Sequence, residues 1–342
     1  MIRPGSDPAA IAEAAQRIRA GALVGFPTET VYGLGADASN DAAVALIFAA
    51  KGRPSEHPLI VHVASAAQVA EYASEVPAFA ARLIEAFWPG PLTLILPRRA
   101  GVASAAAGGQ NSIGLRCPAH PVALALLQAC GTGLAGPSAN RFGRVSPTTA
   151  LHVQEELGED LPVLDGGPCA VGIESTIVDC TRGQPVLLRP GVLTRAQLEA
   201  ACGQAVLDKD AQTSVAAPRA SGTLESHYAP NARVRLMDAL ALQAALEALN
   251  AKTAAAYAAQ PSPGTVAVYA RSTLRLKAPT LHRQMPDDAT AAAQQLFAVL
   301  RELDAMSMSE IWVQVPPDAP EWDGVRDRLG RAAAEGSPPS RE

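Results

Sequence analysis

A chain of 342 residues with 48% hydrophobic side chains has room for two domains and their cores. A formal net charge of −5 and a pI near 5.7 argue against a dedicated nucleic-acid binder, whose affinity rests on phosphate contacts. No run of about 20 apolar residues marks a membrane span. The start Met1-Ile2-Arg3-Pro4-Gly5 lacks the apolar core of a signal peptide, and Cys117, Cys130, Cys169, Cys180 and Cys202, odd in number and scattered, fit reduced thiols in a cytosol.

The first element with chemistry at its end is an apolar run at 23–26. Pro27 stops it, so Thr28, Glu29 and Thr30 fall at the carboxyl end of a strand, where open α/β sheets place their ligands. Gly33-Leu34-Gly35 closes the following turn. A helix is expected over 41–49. Pro54 then biases Arg53 toward extended geometry, which would put Lys51 and Arg53 on one extended segment, facing one side as surface cations of little weight in stability. A compact ammonium and a planar guanidinium so placed can address different phosphates; equally, the pair reads as the basic end of a helix, favourable against its dipole. A strand at 59–63 carries His62, either a ligand or a satisfied core histidine.

Strands at 112–116 and 134–136 end at Arg116 and at Ser138-Ala139-Asn140. The stretch 173–180 holds Ser175 and Thr176, and Leu187-Leu188 leads to Arg189-Pro190-Gly191. Strand after strand ends in a hydroxyl, an amide or a cation, so these ends can converge on one cleft for a polyphosphate and a small polar substrate. That pattern reads as an ATP-using enzyme. Ala49-Ala50 stand where a Walker A motif would have glycines, and no zincin, nucleophile-elbow or Cys-x-x-Cys motif occurs.

Small, polar and proline residues at 208–230 read as a linker. Beyond it, strands at 233–236, 265–269 and 310–315 alternate with helices at 240–257, 288–306 and 322–335, which implies a small parallel sheet of Rossmann-like order. The segment 335–342 is expected to fray.

Pro27 to Gly35, Lys51-Gly52-Arg53, Pro58 to His62, Gly136 to Asn140, Ser146-Pro147-Thr148, Glu174 to Asp179 and Arg189-Pro190-Gly191 together resemble, in order, the YrdC-like domain of the threonylcarbamoyl-AMP synthases. Ser226-His227-Tyr228-Ala229-Pro230 is similar to the linker signature of the longer members. The resemblance implies an α/β fold: a YrdC-like twisted open sheet over 1–207, a linker or lid at 208–230, a smaller Rossmann-like domain at 231–335 and a flexible tail at 336–342. It implies a nucleotidyltransferase that forms threonylcarbamoyl-AMP and pyrophosphate from L-threonine, bicarbonate and ATP, for threonylcarbamoyladenosine modification of tRNA. By similarity, Thr30, His62, Arg116, Ser138 and Ser175 would hold threonine. Lys51, Arg53, His57, Ser112, Asn140, Ser146, Thr148, Arg189 and Tyr228 would hold ATP, with Lys51 and Arg53 catalytic. Two positions depart from the pattern. His57 stands where asparagine is as common, and Phe142 where serine often precedes glycine.

Mg²⁺ would come with ATP, held through phosphate oxygens and water, with no tightly bound metal or organic cofactor. The expected partners are the three substrates and downstream tRNA threonylcarbamoyl-transfer proteins, with no stable tRNA binding and no membrane, in the cytoplasm. Two other classes use the same residues differently. An RNA-binding module would grip phosphates with Lys51, Arg53, Arg116, Arg141, Arg144 and Arg189, and a carbamoyl-transfer enzyme would use carbamoyl phosphate.

Overall fold

The computed structural model of the chain describes residues 1–210, 217–222, 227–256 (side chains only to 250), 266–272, 274 and 280–334. The chain divides into two units, 1–142 with 146–224, and 143–145 with 225–342.

In the first unit, short apolar runs form β1 (Ile2–Pro4), β2 (Val24–Phe26), β3 (Gly33–Asp37), β4 (Ile60–His62), β5 (Leu92–Pro97), β6 (Ser112–Arg116), β7 (Leu134–Ala135), β8 (Val163–Asp165), β9 (Thr176–Asp179), β10 (Val186–Arg189) and β11 (Leu207–Asp208). They make one mixed sheet in the order β1-β8-β2-β3-β7-β4-β6-β5-β9-β10-β11. Helices α1 (Pro8–Arg19), α2 (Asp41–Lys51), α3 (Val69–Tyr72), α4 (Ala78–Phe87), α5 (Pro121–Cys130), α6 (Ala150–Leu157) and α7 (Arg195–Cys202) connect them. Their starts follow capping chemistry. Asp7 accepts from Ala9 N before Pro8 opens α1, and Asn40 accepts from Ala43 N at α2. Leu34, Val44, Ile47, Leu59, Val61 and Leu94 are among the side chains that fill the core against the sheet.

Register places the chemistry. Parallel pairing of β4 with β6 sets His62 opposite Arg116. Pairing of β5 with β9 sets Leu92 opposite Thr176, which brings Thr93 beside Ser175. Antiparallel β10 returns Arg189 to Ile177.

The second unit holds β12 (Arg233–Met237), β13 (Val266–Ala270), β14 (Leu281–Gln284) and β15 (Glu310–Gln314), parallel throughout in the order β12-β15-β13-β14. Helices α8 (Ala239–Ala256), α9 (Ala289–Ala305) and α10 (Asp323–Ala333) connect or follow the strands. Leu242 and Leu246 of α8 pack with Val268 and Trp312. This is the alternation expected, with β14 as an added edge strand. Among the described residues no helix is long and apolar enough to cross a membrane. Expectations at 257, at Thr265 and Ser226, and at 335–342 lie outside the described residues.

Two local expectations change. Gly33 and Gly35 lie in β3, not in a turn, because Phe26 covers them: a Cβ at Gly33 would fall 2.8 Å from Phe26 Cε1. Lys51 and Arg53 do not share an extended segment. Lys51 is the last residue of α2, and Gly52 turns the chain through φ +60. Both cations are buried rather than on the surface.

Candidate active site

The loop between β2 and β3 folds on its own hydroxyls. Thr28 Oγ1 donates to Val31 O at 2.6 Å and lies 2.9 Å from Thr30 Oγ1. Arg116, at the end of β6, reaches this loop. Its Nη1 donates to Thr30 Oγ1 at 2.8 Å, and its Nη2 lies 2.6 Å from Glu29 Oε1, with both charged groups buried. His62 stands beside Arg116 with its ring edge-on to Phe26, and Gly136 leaves it room, since a Cβ there would lie 2.8 Å from His62 Nδ1. Burial, and then the Arg116 charge, push the His62 imidazole down to about 3. The ring is therefore neutral near pH 7 and offers a polar edge, not a charge.

A second group forms at the ends of β9 and β10. Ser175 Oγ is 2.8 Å from Thr93 Oγ1, and Arg189 Nη2 donates to Ser175 O at 2.9 Å and to its Oγ at 3.2 Å. Arg189 Nη1 also donates to Ser221 O at 3.0 Å, while Arg53 Nη2 is 3.5 Å from Ser221 Oγ. Ser221 thus joins two of the expected ATP cations. Ser112, Thr93, Gln110 and Ser221 line one cleft.

The third group surrounds Lys51, whose Nζ donates to Ser138 O at 2.6 Å and to Asn140 O. Burial and the neighbouring Arg53 charge hold its ammonium well below the usual lysine range, while Glu156 and Glu174 act the other way. Ser146 donates to Glu174 Oε1, Thr148 N donates to His152 Nδ1 at 3.3 Å, and Asn140 Nδ2 donates to Arg141 O at 2.7 Å. Phe142 lies 5.7 Å from the Arg53 guanidinium and edge-on to His57 at 5.5 Å. Partial burial, then the Arg53 charge, lower the His57 pKa. The aromatic at Phe142 therefore packs on two of the expected ATP residues.

Thr30, Arg116 and His62 are therefore neighbours, Ser175 meets Arg189, and Ser138 contributes its backbone carbonyl to Lys51. Tyr228 lies in the second unit, buried with a left-handed φ of 63, its ring 5.4 Å from Phe297 and 5.4 Å from the Arg328 guanidinium. Two polar partners, Thr93 and Ser221, were not singled out from sequence, and Glu29 was placed at the ligand end of its strand without a role of its own. Thr93 had a signal, a lone hydroxyl inside the apolar run Leu92-Thr93-Leu94-Ile95-Leu96; Ser221, in a stretch read as linker, had none.

A family model described as "Telomere recombination", of the Sua5/YciO/YrdC group, matches residues 16–191, and one described as "Threonylcarbamoyl-AMP synthase, C-terminal domain" matches 193–334. A Bacillus subtilis threonylcarbamoyl-AMP synthase is 45% identical over 230 residues, 67% of this chain and 66% of that protein, so the match spans about two thirds of the relative. A Schizosaccharomyces pombe threonylcarbamoyl-AMP synthase is 34% identical over 346 residues, covering 91% of this chain and 85% of its own. The crystal structure of P. abyssi Sua5 complexed with L-threonine superposes with a TM-score of 0.85 at 36% identity, over 96% of this chain and 95% of that one. With two domain families matched in sequence order and such relatives aligned over most of its length, the chain belongs to the threonylcarbamoyl-AMP synthase family.

Proposed function

We infer that this chain is an L-threonylcarbamoyladenylate synthase, which joins L-threonine, bicarbonate and ATP into threonylcarbamoyl-AMP and releases pyrophosphate. Support comes from family membership and from one observation above all. A buried arginine-and-hydroxyl pocket at Thr30 and Arg116 accompanies two further buried arginines, Arg53 and Arg189, that share Ser221. The first suits a small hydroxy amino acid; the second suits phosphates.

In this reading Thr30, His62, Arg116, Ser138 and Ser175 hold threonine while its amine nitrogen forms a bond to the bicarbonate carbon and a C–O bond there breaks, releasing water and leaving a carbamate. Lys51, Arg53, His57, Ser112, Asn140, Ser146, Thr148 and Arg189 hold ATP. A carbamate oxygen then forms a bond to the α-phosphorus, and the bond from that phosphorus to the pyrophosphate oxygen breaks. No protein nucleophile is required; the step needs two anions held together and the leaving charge offset, which Lys51 and Arg53 supply. Burial raises the thiols of Cys117, Cys169 and Cys180, an environment that disfavours thiolate chemistry.

Among the described residues no group of three or more His, Cys, Asp or Glu side chains is arranged for a metal ion. Mg²⁺ would come with ATP on its phosphate oxygens, where it would neutralise charge on the leaving pyrophosphate. The relative complexed with L-threonine supports the amino acid assignment by similarity. Tyr228 and the segment 208–230 are assigned to the nucleotide as a lid that keeps water from a hydrolysable mixed anhydride. The adenylate would pass to downstream transfer proteins acting on tRNA. The acidic balance of the chain supports a product made without holding tRNA, and five buried free cysteines support a cytoplasmic setting.

The test is pyrophosphate release with ATP, bicarbonate and one amino acid at a time. Release should require both L-threonine and bicarbonate, since a polar site built for a hydroxyl rejects analogues lacking it by roughly 10⁴ in the best cases. Equal turnover with alanine or valine would overturn the assignment.

A further inference from the structure

Glu29 holds a charge that the synthase reading leaves without a task. Its side chain is 9% exposed, and Oε1 sits 2.6 Å from Arg116 Nη2. Among the described residues neither of its oxygens accepts a hydrogen bond of good geometry, and Arg116 Nη2 donates none. An ionised carboxylate has about four acceptor positions, and buried ones are normally filled. The Glu29 carboxylate thus lies against Arg116, whose other nitrogen reaches Thr30, both residues assigned to the amino acid.

The charges there add to zero, one positive and one negative in contact. A guanidinium and a carboxylate side by side match an α-amino acid, which carries one charge of each sign on adjacent carbons. Arg116 suits the substrate carboxylate, because a planar fork pairs with it in two places. The substrate ammonium then needs an anion within the same pocket, and Glu29 is the carboxylate in contact with Arg116. We propose that Glu29 receives the α-ammonium of the amino acid substrate and so makes the pocket select amino acids over hydroxy acids of the same skeleton. This rests on the reading of Thr30 and Arg116 as the threonine pocket.

The competing role for Glu29 is purely structural, holding the Arg116 guanidinium in place, and ligand comparison separates the two. Binding of L-threonine and of (R)-3-hydroxybutanoate, which keeps the carboxylate and hydroxyl but lacks the amine, is measured by calorimetry on the full chain and on Glu29→Gln and Glu29→Asp. The wild-type chain should prefer threonine by at least about tenfold, the usual weight of a charge-assisted hydrogen bond. Glu29→Gln should lose that preference by weakening threonine alone, with the hydroxy acid bound as well or better. Glu29→Asp, which keeps the charge, should retain most of the preference. If Glu29→Gln weakens both ligands alike, or changes neither, Glu29 only supports Arg116 and the proposal is wrong. A wild-type chain that ignores L-threonine sinks the pocket assignment itself, and the proposal with it.

Discussion

Lys51 carries its ammonium into a nearly dry place, and two backbone oxygens, of Ser138 and Asn140, hold it there. Those bonds offset the desolvation that lowers its pKa, and they also fix the loop carrying Asn140 against the end of α2. Removing the amine therefore leaves buried carbonyls short of a donor, at a cost of about 1–3 kcal/mol. Lys51→Ala should lower both the urea midpoint and pyrophosphate release, the latter by at least about tenfold if a charge-assisted phosphate contact is lost. Lys51→Met restores the apolar stem without the charge, so it should recover part of the stability and none of the activity. A Lys51→Ala chain as stable as the parent would show that the two carbonyl bonds carry no net weight.

Between Lys51 and Arg53 stands one residue whose backbone decides their relation. Gly52 caps α2 in the left-handed region at φ 60 and ψ 36, and a Cβ there would meet nothing within 4 Å. The cost of Gly52→Ala is thus conformational alone, about 1–2 kcal/mol. The expected result is a destabilisation of that size in urea unfolding, with a larger loss of ATP affinity as Arg53 shifts; unchanged ATP affinity would mean the cation pair does not depend on this turn. Apolar runs announced β2, β4, β13 and β15, because strands buried over most of their length are written as hydrophobic stretches. β3 was hidden by Gly33 and Gly35, which answer to the Phe26 ring rather than to strand propensity. The site was legible by residue type but not by pairing. Thr93 meets Ser175 across 82 residues, and nothing local in either sequence signals it. Lys51 looked exposed because its acceptors, the carbonyls of Ser138 and Asn140, leave no mark in side-chain chemistry.

At the scale of the whole chain, the stretch that reads as linker is partly built into the first unit. Leu207–Asp208 pairs with β10 as β11, Arg219 N donates to Gln110 Oε1 at 2.8 Å, and Ser221 accepts from Arg189. Gly222 follows with a left-handed φ of 71, a turn that glycine makes without strain. A cut after Val206 would therefore remove contacts made by two of the expected ATP arginines, whereas a cut after Gly222 would spare them. Fragment 1–222 should melt cooperatively and bind L-threonine and ATP. Fragment 1–206 should bind L-threonine but hold ATP at least about tenfold more weakly, since Arg53 and Arg189 lose their shared serine. Calorimetry on both fragments, with circular dichroism to confirm folding, reads the difference. Equal ATP affinity would mean that 217–222 merely rests on the sheet and that the nucleotide site is complete without it.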